Sequence, residues 1–318
     1  MMKAKVLIAT RSFGSTSQKP WQVLAEAGCE TVRADMSQKM TEERLIELLD
    51  GVEAAIVGMV PMTARVLENS PGLKVVSTHG VGVDHVDLEA AARKGVIVAN
   101  CPGANDQAVA DLAIGLMVAI ARQIPIVDQD VRSGKWGRYH GSELWNKTLG
   151  LIGLGRIGRG VAKRALGFDM QVLAYDPYVD EQLAGAIGVR MSSFEEVISA
   201  ADFLSLHAAL TEETRHMIGK SELENMKPSA FLINTARGGL VDEEALYAAL
   251  VEGQLTGAAL DAFAAEPPIG SPLLQLENVV LTPHIGAHTQ EAIERVGVLA
   301  AQNVVQALQT GEPIHRVV

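Results

Sequence analysis

Short apolar runs alternate with amphipathic stretches along the first hundred positions. Val6–Ala9, Ala54–Val57, Val75–Thr78 and Val96–Ala99 are apolar or β-branched and read as buried strands. Between them, Trp21–Ala27, Glu42–Leu49, Ala64–Asn69 and Leu88–Lys94 carry apolar side chains at helical spacing. Buried strands alternating with helices predict βαβ units on a parallel sheet. Pro102-Gly103 punctuates the chain, and Asp106–Ile124 then reads as one helix, apolar on most faces, buried in a core or a subunit interface. Gly134–Gly141 is a polar loop carrying glycines and aromatics. A second series opens at Thr148, with strands expected at Leu149–Ile152, Gln171–Tyr175, Phe203–Leu206, Ala230–Asn234, Ala258–Leu260 and Val279–Leu281. Helices are expected at Gly155–Leu166, Ser193–Ala200, Lys220–Asn225, Glu243–Glu252, Leu273–Leu276 and finally Gln290–Gln309.

Composition narrows this picture. A length of 318 residues suggests two domains, and 48% hydrophobic residues exclude a disordered chain. No apolar run reaches a membrane-spanning length of about 18 residues, so no membrane partner is expected. The segment before Thr10 reads as a strand rather than a signal peptide, which makes the cytoplasm the expected compartment. The charge balance, 27 − 38 = −11, with no basic tract, argues against nucleic acid. The two cysteines, Cys29 and Cys101, suffice for neither a disulfide framework nor a metal site.

Chemistry enters at Gly153-Leu154-Gly155-Arg156-Ile157-Gly158. A GxGxxG is weak alone, but here an apolar strand precedes it, a helix follows, and Asp176 stands at the end of the next strand. Gly153 permits the tight turn, Gly155 lets backbone approach a pyrophosphate, and Gly158 lets the helix pack closely on the strand. The helix N-terminus favours phosphates. Asp176 accepts ribose hydroxyls and repels a 2′-phosphate, so the expected cofactor is NAD rather than NADP.

Reduction of a 2-keto acid needs a cation to hold and polarise the substrate, a proton donor, and a partner that tunes the donor. Arg237 follows a strand in Asn234-Thr235-Ala236-Arg237-Gly238-Gly239, and His284 follows another in Leu281-Thr282-Pro283-His284-Ile285-Gly286. Glu266 precedes Pro267-Pro268. Spacing alone leaves other readings open: Arg237 as a surface ion-pair partner, Glu266 as a solvated carboxylate, His284 as a satisfied residue at a strand end.

These motifs, with His79-Gly80-Val81-Gly82-Val83-Asp84 and Ala259-Leu260-Asp261-Ala262-Phe263, occur in an order that resembles the D-isomer-specific 2-hydroxyacid dehydrogenases, in particular the phosphoglycerate dehydrogenase branch. The resemblance covers nearly the whole chain. It implies an α/β fold in which a Rossmann-type NAD domain, residues 100–285, is inserted into a smaller flavodoxin-like doubly wound substrate domain, residues 1–99 plus 286–318. The site would lie in the cleft. It implies an NAD-dependent oxidoreductase moving a hydride to or from C2, with Arg237, Glu266 and His284 as substrate arginine, tuning carboxylate and acid/base. His79, Val81, Gly82, Asn105 and Arg237 are the implied substrate contacts, the Val81 and Gly82 N–H groups holding the carboxylate. Besides the Gly153–Gly158 motif with Arg156 and Ile157, and Asp176, the implied cofactor contacts are His207, Ala208, Thr214, Thr235, Ala236, Asp261, His284 and Gly286. Asp261 orients the nicotinamide amide. A homodimer is implied, with Asp106–Ile124 and Gly134–Gly141 as interface elements.

Departures from the family pattern bear on the substrate. The phosphoglycerate branch grips the substrate phosphate with an arginine and a serine after the third strand, where Gly58 and Met59 stand here, with Arg65 as the nearest substitute. Met59, Val60, Met62 and His79 fall near the family's side-chain pocket and suggest a small or moderately apolar group. Ala208 replaces a usual proline. The chain ends 318 − 284 = 34 residues past His284, which implies a short form without a serine-sensing domain. Two alternatives remain at this stage: D-3-phosphoglycerate dehydrogenase, and an NAD-sensing non-catalytic scaffold.

Overall fold

A computed structural model describes residues 4–318 of the chain. They form two compact units, residues 4–105 with Ala287–Val318, and Asp106–Gly286. In chain order the elements are β1 Lys5–Ala9, α1 Lys19–Glu26, β2 Glu30–Arg33, α2 Glu42–Leu48, β3 Ala54–Val57, α3 Ala64–Glu68, β4 Val75–Thr78, α4 Leu88–Lys94, β5 Ile97–Ala99, α5 Asp106–Ala121 and α6 Ile124–Arg132. They continue with β6 Thr148–Ile152, α7 Arg156–Leu166, β7 Gln171–Tyr175, α8 Glu181–Ala186, β8 Arg190–Met191, α9 Phe194–Ala200, β9 Phe203–Leu206, α10 Lys220–Asn225, β10 Phe231–Asn234, α11 Glu243–Val251, β11 Gly257–Leu260, β12 Val279–Leu281 and α12 Gln290–Thr310.

The first unit is a parallel sheet of order β2-β1-β3-β4-β5. Every residue of β3 and β4 is buried, as expected where helices cover both faces of a parallel sheet. Thr41, Thr63 and Asp87 cap α2, α3 and α4 by accepting backbone N–H groups of the first turn. The returning α12 packs on α1 and on the sheet. The unit keeps Asn100–Asn105, so the boundary falls at 105/106 instead of 99/100. Asn100 N donates to His315 O (3.3 Å), Cys101 N to Gly80 O (2.8 Å) and Asn303 Nδ2 to Asn100 O (2.8 Å).

The second unit is a parallel sheet of order β12-β11-β10-β9-β6-β7-β8. The strand order reverses between β6 and β9, the place where doubly wound sheets open a ligand crevice at their carboxyl ends. Phe203 and Phe231 stack at 5.1 Å in its core.

Two expectations need correction. The helix expected over Asp106–Ile124 ends at Ala121, and α6 leaves at 62° to it. Gln123 takes a left-handed backbone (φ 55°) and Pro125 starts the new helix, having no N–H to continue the old one. The apolar faces of α5 are largely used within the unit, against α7, β10 and β11. Leu273–Leu276 forms only a 3₁₀ turn, Pro272–Gln275. No single helix among the described residues is long and apolar enough to cross a membrane.

Candidate active site

Three loops at the carboxyl ends of β10, β11 and β12 meet in the second unit. The first is shaped by Asn234, buried at the end of β10. Its side chain accepts from Ala236 N (3.0 Å) and donates to Arg237 O (2.8 Å), so the turn that presents Arg237 is fixed from within. Gly238 lets this loop touch the second one, because a Cβ there would lie 1.9 Å from the carbonyl carbon of Phe263. Beyond that contact, Phe263 N donates to Glu266 Oε1 (3.1 Å) and Ala264 N to Glu243 Oε1 (2.6 Å).

The third loop carries His284, whose backbone is left-handed at φ 53°. That conformation is uncommon outside glycine and needs support. Asp261, buried at the end of β11, supplies it. Its Oδ1 accepts from Thr282 Oγ1 (2.6 Å) and Ile285 N (2.8 Å), and its Oδ2 from Gly286 N (2.8 Å). The resemblance implied a nicotinamide contact for Asp261. In this structure its carboxylate anchors the turn that holds His284, and close packing at Gly286 brings that turn against Val109.

His284 Nδ1 lies 2.9 Å from both carboxylate oxygens of Glu266, each side chain being one-third exposed. The Glu266 hydrogen bond raises the His284 pKa above its ordinary 6.5, against burial and the Arg237 charge, with Asp261 adding to the rise. For Glu266, burial works toward a higher value. The His284 hydrogen bond and charge, the Phe263 N–H and Arg237 outweigh it and hold the carboxyl below its ordinary range. The three side chains read separately from the sequence therefore form one electrostatic group. Sequence reasoning missed the backbone and side chains that set it: Asn234, the Phe263 N–H, Glu243 and the anchoring role of Asp261. Asn234 and Asp261 stood within quoted motifs, but nothing in spacing separates an anchor from a ligand contact.

The glycine motif fits a dinucleotide. Gly153 has φ 97°, and a Cβ there would come within 2.7 Å of the His207 backbone. A Cβ at Gly158 would lie 2.2 Å from Gly153 O, whereas one at Gly155 meets nothing within 4 Å, so room remains on the side where phosphates would lie. Gly155 gives α7 no side-chain cap, leaving the first-turn N–H groups of Arg156, Ile157 and Gly158 for an anion. Asp176 accepts from Leu154 N (2.8 Å) and Tyr178 N (2.9 Å), which holds its carboxylate beside the motif. His207 bonds Ser205 Oγ through Nε2 (2.9 Å), its Nδ1 has no partner among the described residues, and burial pushes its pKa down to about 4. Thr235 Oγ1 is likewise buried without a partner among the described residues. Thr214 closes the loop after Ala208 by donating to Ala209 O (2.7 Å).

His79, Val81, Gly82 and Asn105 belong to the first unit. His79 Nδ1 meets Ser12 Oγ at 3.2 Å, and burial pushes its pKa down to about 4. Val81 O accepts from Asn100 Nδ2 (2.8 Å), and Asn105 Oδ1 is buried without a partner among the described residues. Val60 and Met62, expected near a side-chain pocket, are 2% and 0% exposed and belong to the unit's core, while Met59 is 61% exposed. Gly58 packs on Thr10, and the Arg65 guanidinium pairs with Glu42 and Glu43.

Residues 114–286 match the family model described as "D-isomer specific 2-hydroxyacid dehydrogenase, NAD binding domain". The chain is 42% identical over 278 residues to a hydroxypyruvate reductase of Thermotoga maritima, covering 86% of this chain and 90% of that one. It is 44% identical over 301 residues to a D-3-phosphoglycerate dehydrogenase of Methanocaldococcus jannaschii, covering 93% of this chain and 56% of the relative. The chain thus spans about half the length of the D-3-phosphoglycerate dehydrogenases it matches. A solved glyoxylate reductase from Paecilomyes thermophila superposes with a TM-score of 0.89 at 30% identity, covering 100% of this chain and 99% of that one. With a family model over more than half its length and a relative matched almost end to end, the chain belongs to the D-isomer-specific 2-hydroxyacid dehydrogenases.

Proposed function

We propose that the protein is an NAD-dependent dehydrogenase that interconverts a 2-keto acid and its D-2-hydroxy acid. The observation that carries this reading is His284 Nδ1 held 2.9 Å from both oxygens of Glu266, within the field of Arg237. Glu266 keeps a proton on Nδ1, so Nε2 is the atom that exchanges a proton with substrate. With its pKa raised, His284 is an imidazolium over a wider pH range and gives its Nε2 proton to the oxygen developing at C2. After donation Glu266 still holds the Nδ1–H tautomer, which leaves Nε2 as the base for the reverse reaction. Arg237 binds the substrate carboxylate and polarises the C2 oxygen, and the Val81 and Gly82 N–H groups hold the carboxylate.

The hydride exchanged at C2 comes from or goes to the nicotinamide ring. In the dinucleotide site the α7 N-terminus takes the pyrophosphate and Asp176 the ribose hydroxyls, which favours NAD over NADP. His207, Ala208 and Thr214 line the adenosine side. Thr235, Ala236, Asp261 and Gly286 complete the nicotinamide side. Residues 106–286 thus serve as the NAD domain and the other unit as the substrate domain.

We further propose a cytoplasmic homodimer with no membrane or nucleic-acid partner. Ile124 and Val131 on α6 and Trp136 in the following loop are 49%, 48% and 90% exposed, apolar area that a second copy would cover. The test of the reaction is NADH oxidation with a panel of 2-keto acids, compared between wild type and His284→Ala. Turnover should fall about 10²–10⁴-fold, the usual worth of a positioned acid/base, with NADH binding nearly intact. Equal losses in both would show that His284 is a structural residue.

A further inference from the structure

The loop between β4 and α4 carries the Val81 and Gly82 N–H groups assigned above to the substrate carboxylate. It is fastened at both ends. His79 N donates to Val57 O (2.7 Å) where the loop leaves the sheet. Val86 N donates to Val83 O (2.9 Å), and Met62 N to His85 O (3.0 Å), where it returns. Between these ends, the Val81 and Gly82 N–H groups find no acceptor among the described residues.

Two carbonyls of the same loop are clamped. Gly80 O accepts from Cys101 N (2.8 Å) and from Thr78 Oγ1 (3.1 Å), and Val81 O accepts from Asn100 Nδ2 (2.8 Å). Both peptides are trans. A trans peptide is planar, with its C=O and the following N–H pointing to opposite sides. Holding Gly80 O therefore turns the Val81 N–H away from Cys101, and holding Val81 O turns the Gly82 N–H away from Asn100. Asn100 and Cys101 are neighbours in the chain, so both N–H groups face away from one segment. Successive N–H groups presented in this way suit an anion.

The clamp on Val81 is braced from behind. Asn100 follows β5; its N donates to His315 O (3.3 Å), and its O accepts from Asn303 Nδ2 (2.8 Å) on α12. Asn303 is fully buried, and its Oδ1 accepts from His315 N (3.1 Å). Both ends of its amide are used, as burial demands. The segment that supplies His315 runs antiparallel along β5, with Ala99 opposite Arg316 and Val317 N donating to Val98 O (2.7 Å). Neither asparagine carries a charge, so replacing Asn100 by a neutral residue changes geometry without removing a charge from the loop.

Resting on the proposed reaction, we infer that Asn100 and Thr78 are positioning residues for the substrate carboxylate, Asn100 being braced by Asn303. Through Val81 O, Asn100 aims the Gly82 N–H; through Gly80 O, Thr78 aims the Val81 N–H. Neither side chain touches substrate. The carboxylate is unchanged by the reaction, so its N–H partners serve ground and transition states alike, and misaiming them raises KM and spares kcat. The test is steady-state reduction of glyoxylate and of hydroxypyruvate by NADH in wild type and Asn100→Ala, beside NADH titration by fluorescence. KM for the acids should rise about tenfold or more, with kcat within about threefold and NADH binding unmoved. A residue that only supports the fold would lower kcat through the active fraction and leave KM alone. An unmoved KM therefore overturns the inference.

If Asn100→Ala does not fold, Thr78→Val and Thr78→Ser decide. Valine keeps the shape of Thr78 without a donor for Gly80 O, and serine keeps the hydroxyl. A KM raised in Thr78→Val and restored in Thr78→Ser supports the clamp, and equal values in the two overturn it. Calorimetry with oxalate on the NADH-loaded protein gives a readout independent of turnover. Oxalate binding by wild type that weakens about tenfold in Asn100→Ala or Thr78→Val supports the inference. Equal binding by wild type and variant, or none by wild type, overturns it. If wild type reduces neither acid, the proposed reaction has failed, and the clamp stands or falls on the oxalate result.

Discussion

Gly238→Ala is the sharpest test of how the candidate site is assembled, because the residue touches no reacting group. Its added Cβ would lie 1.9 Å from the Phe263 carbonyl carbon and 2.2 Å from Ala264 N, both backbone atoms. An ordinary carbon contact is about 3.5–4.0 Å, so one loop must retreat by about 1.5–2 Å. The retreating atoms neighbour the Phe263 N–H that orients Glu266, and the Ala264 N–H bound to Glu243. Misplacement of a supporting group by about 1 Å costs on the order of 10² in rate, so kcat should fall about 100-fold or more. Overpacking of this kind costs about 1–3 kcal/mol. For a domain of this size about 2 kcal/mol lowers Tm by about 4–8 °C. The assay is steady-state NADH oxidation on the best acid of the panel, beside thermal unfolding by circular dichroism and NADH titration by fluorescence. Gly185→Ala, inside α8 with nothing within 4 Å of its Cβ, is the control and should not lower Tm. Wild-type kcat and Tm in Gly238→Ala would refute the claim that this contact seats Glu266.

Two further outcomes follow from the electrostatics. In Glu266→Gln the largest cause raising the His284 pKa is gone while burial and Arg237 still lower it, so the basic limb of the reduction pH profile moves to lower pH. The His284 contribution to stability is complete below 6.5 and is lost as pH rises through its raised folded value; the Glu266 contribution is complete above 4.5 and is lost as pH falls through its lowered one. Thermal unfolding of variant and wild type should therefore differ most between pH 4.5 and 6.5. A flat difference across that range, or an unmoved basic limb, would contradict the coupling. Asp176→Ser removes a carboxylate that accepts Leu154 N and Tyr178 N, and should cost about tenfold in kcat/KM for NADH while raising the NADPH/NADH ratio. An unchanged ratio would show that Asp176 does not face the ribose.

Residues with a local signature were legible in the sequence. Buried strands of a parallel sheet are apolar on both faces, so β1, β3, β4, β6, β9 and β10 show as short runs without any knowledge of their neighbours. The glycine motif shows because close backbone approach admits no side chain at Gly153 and Gly158. Arg237, Glu266 and His284 could be named because each follows a strand end in a distinctive local string.

What remained invisible lacked such a signature. Edge strand β2 is mostly exposed, so Glu30–Arg33 carries no apolar run, and β8 has only two residues. The break between α5 and α6 turns on the left-handed Gln123, a conformation that sequence periodicity does not encode. Only the folded chain brings Glu266 to 2.9 Å from His284, 18 positions away, and turns Asp261 into the anchor of a left-handed turn. Sequence thus determined what is repeated along the chain or compressed into a short motif, because local sterics and burial act on neighbouring residues. Tertiary structure decided which distant charges share a site, because electrostatic coupling depends on distance in space.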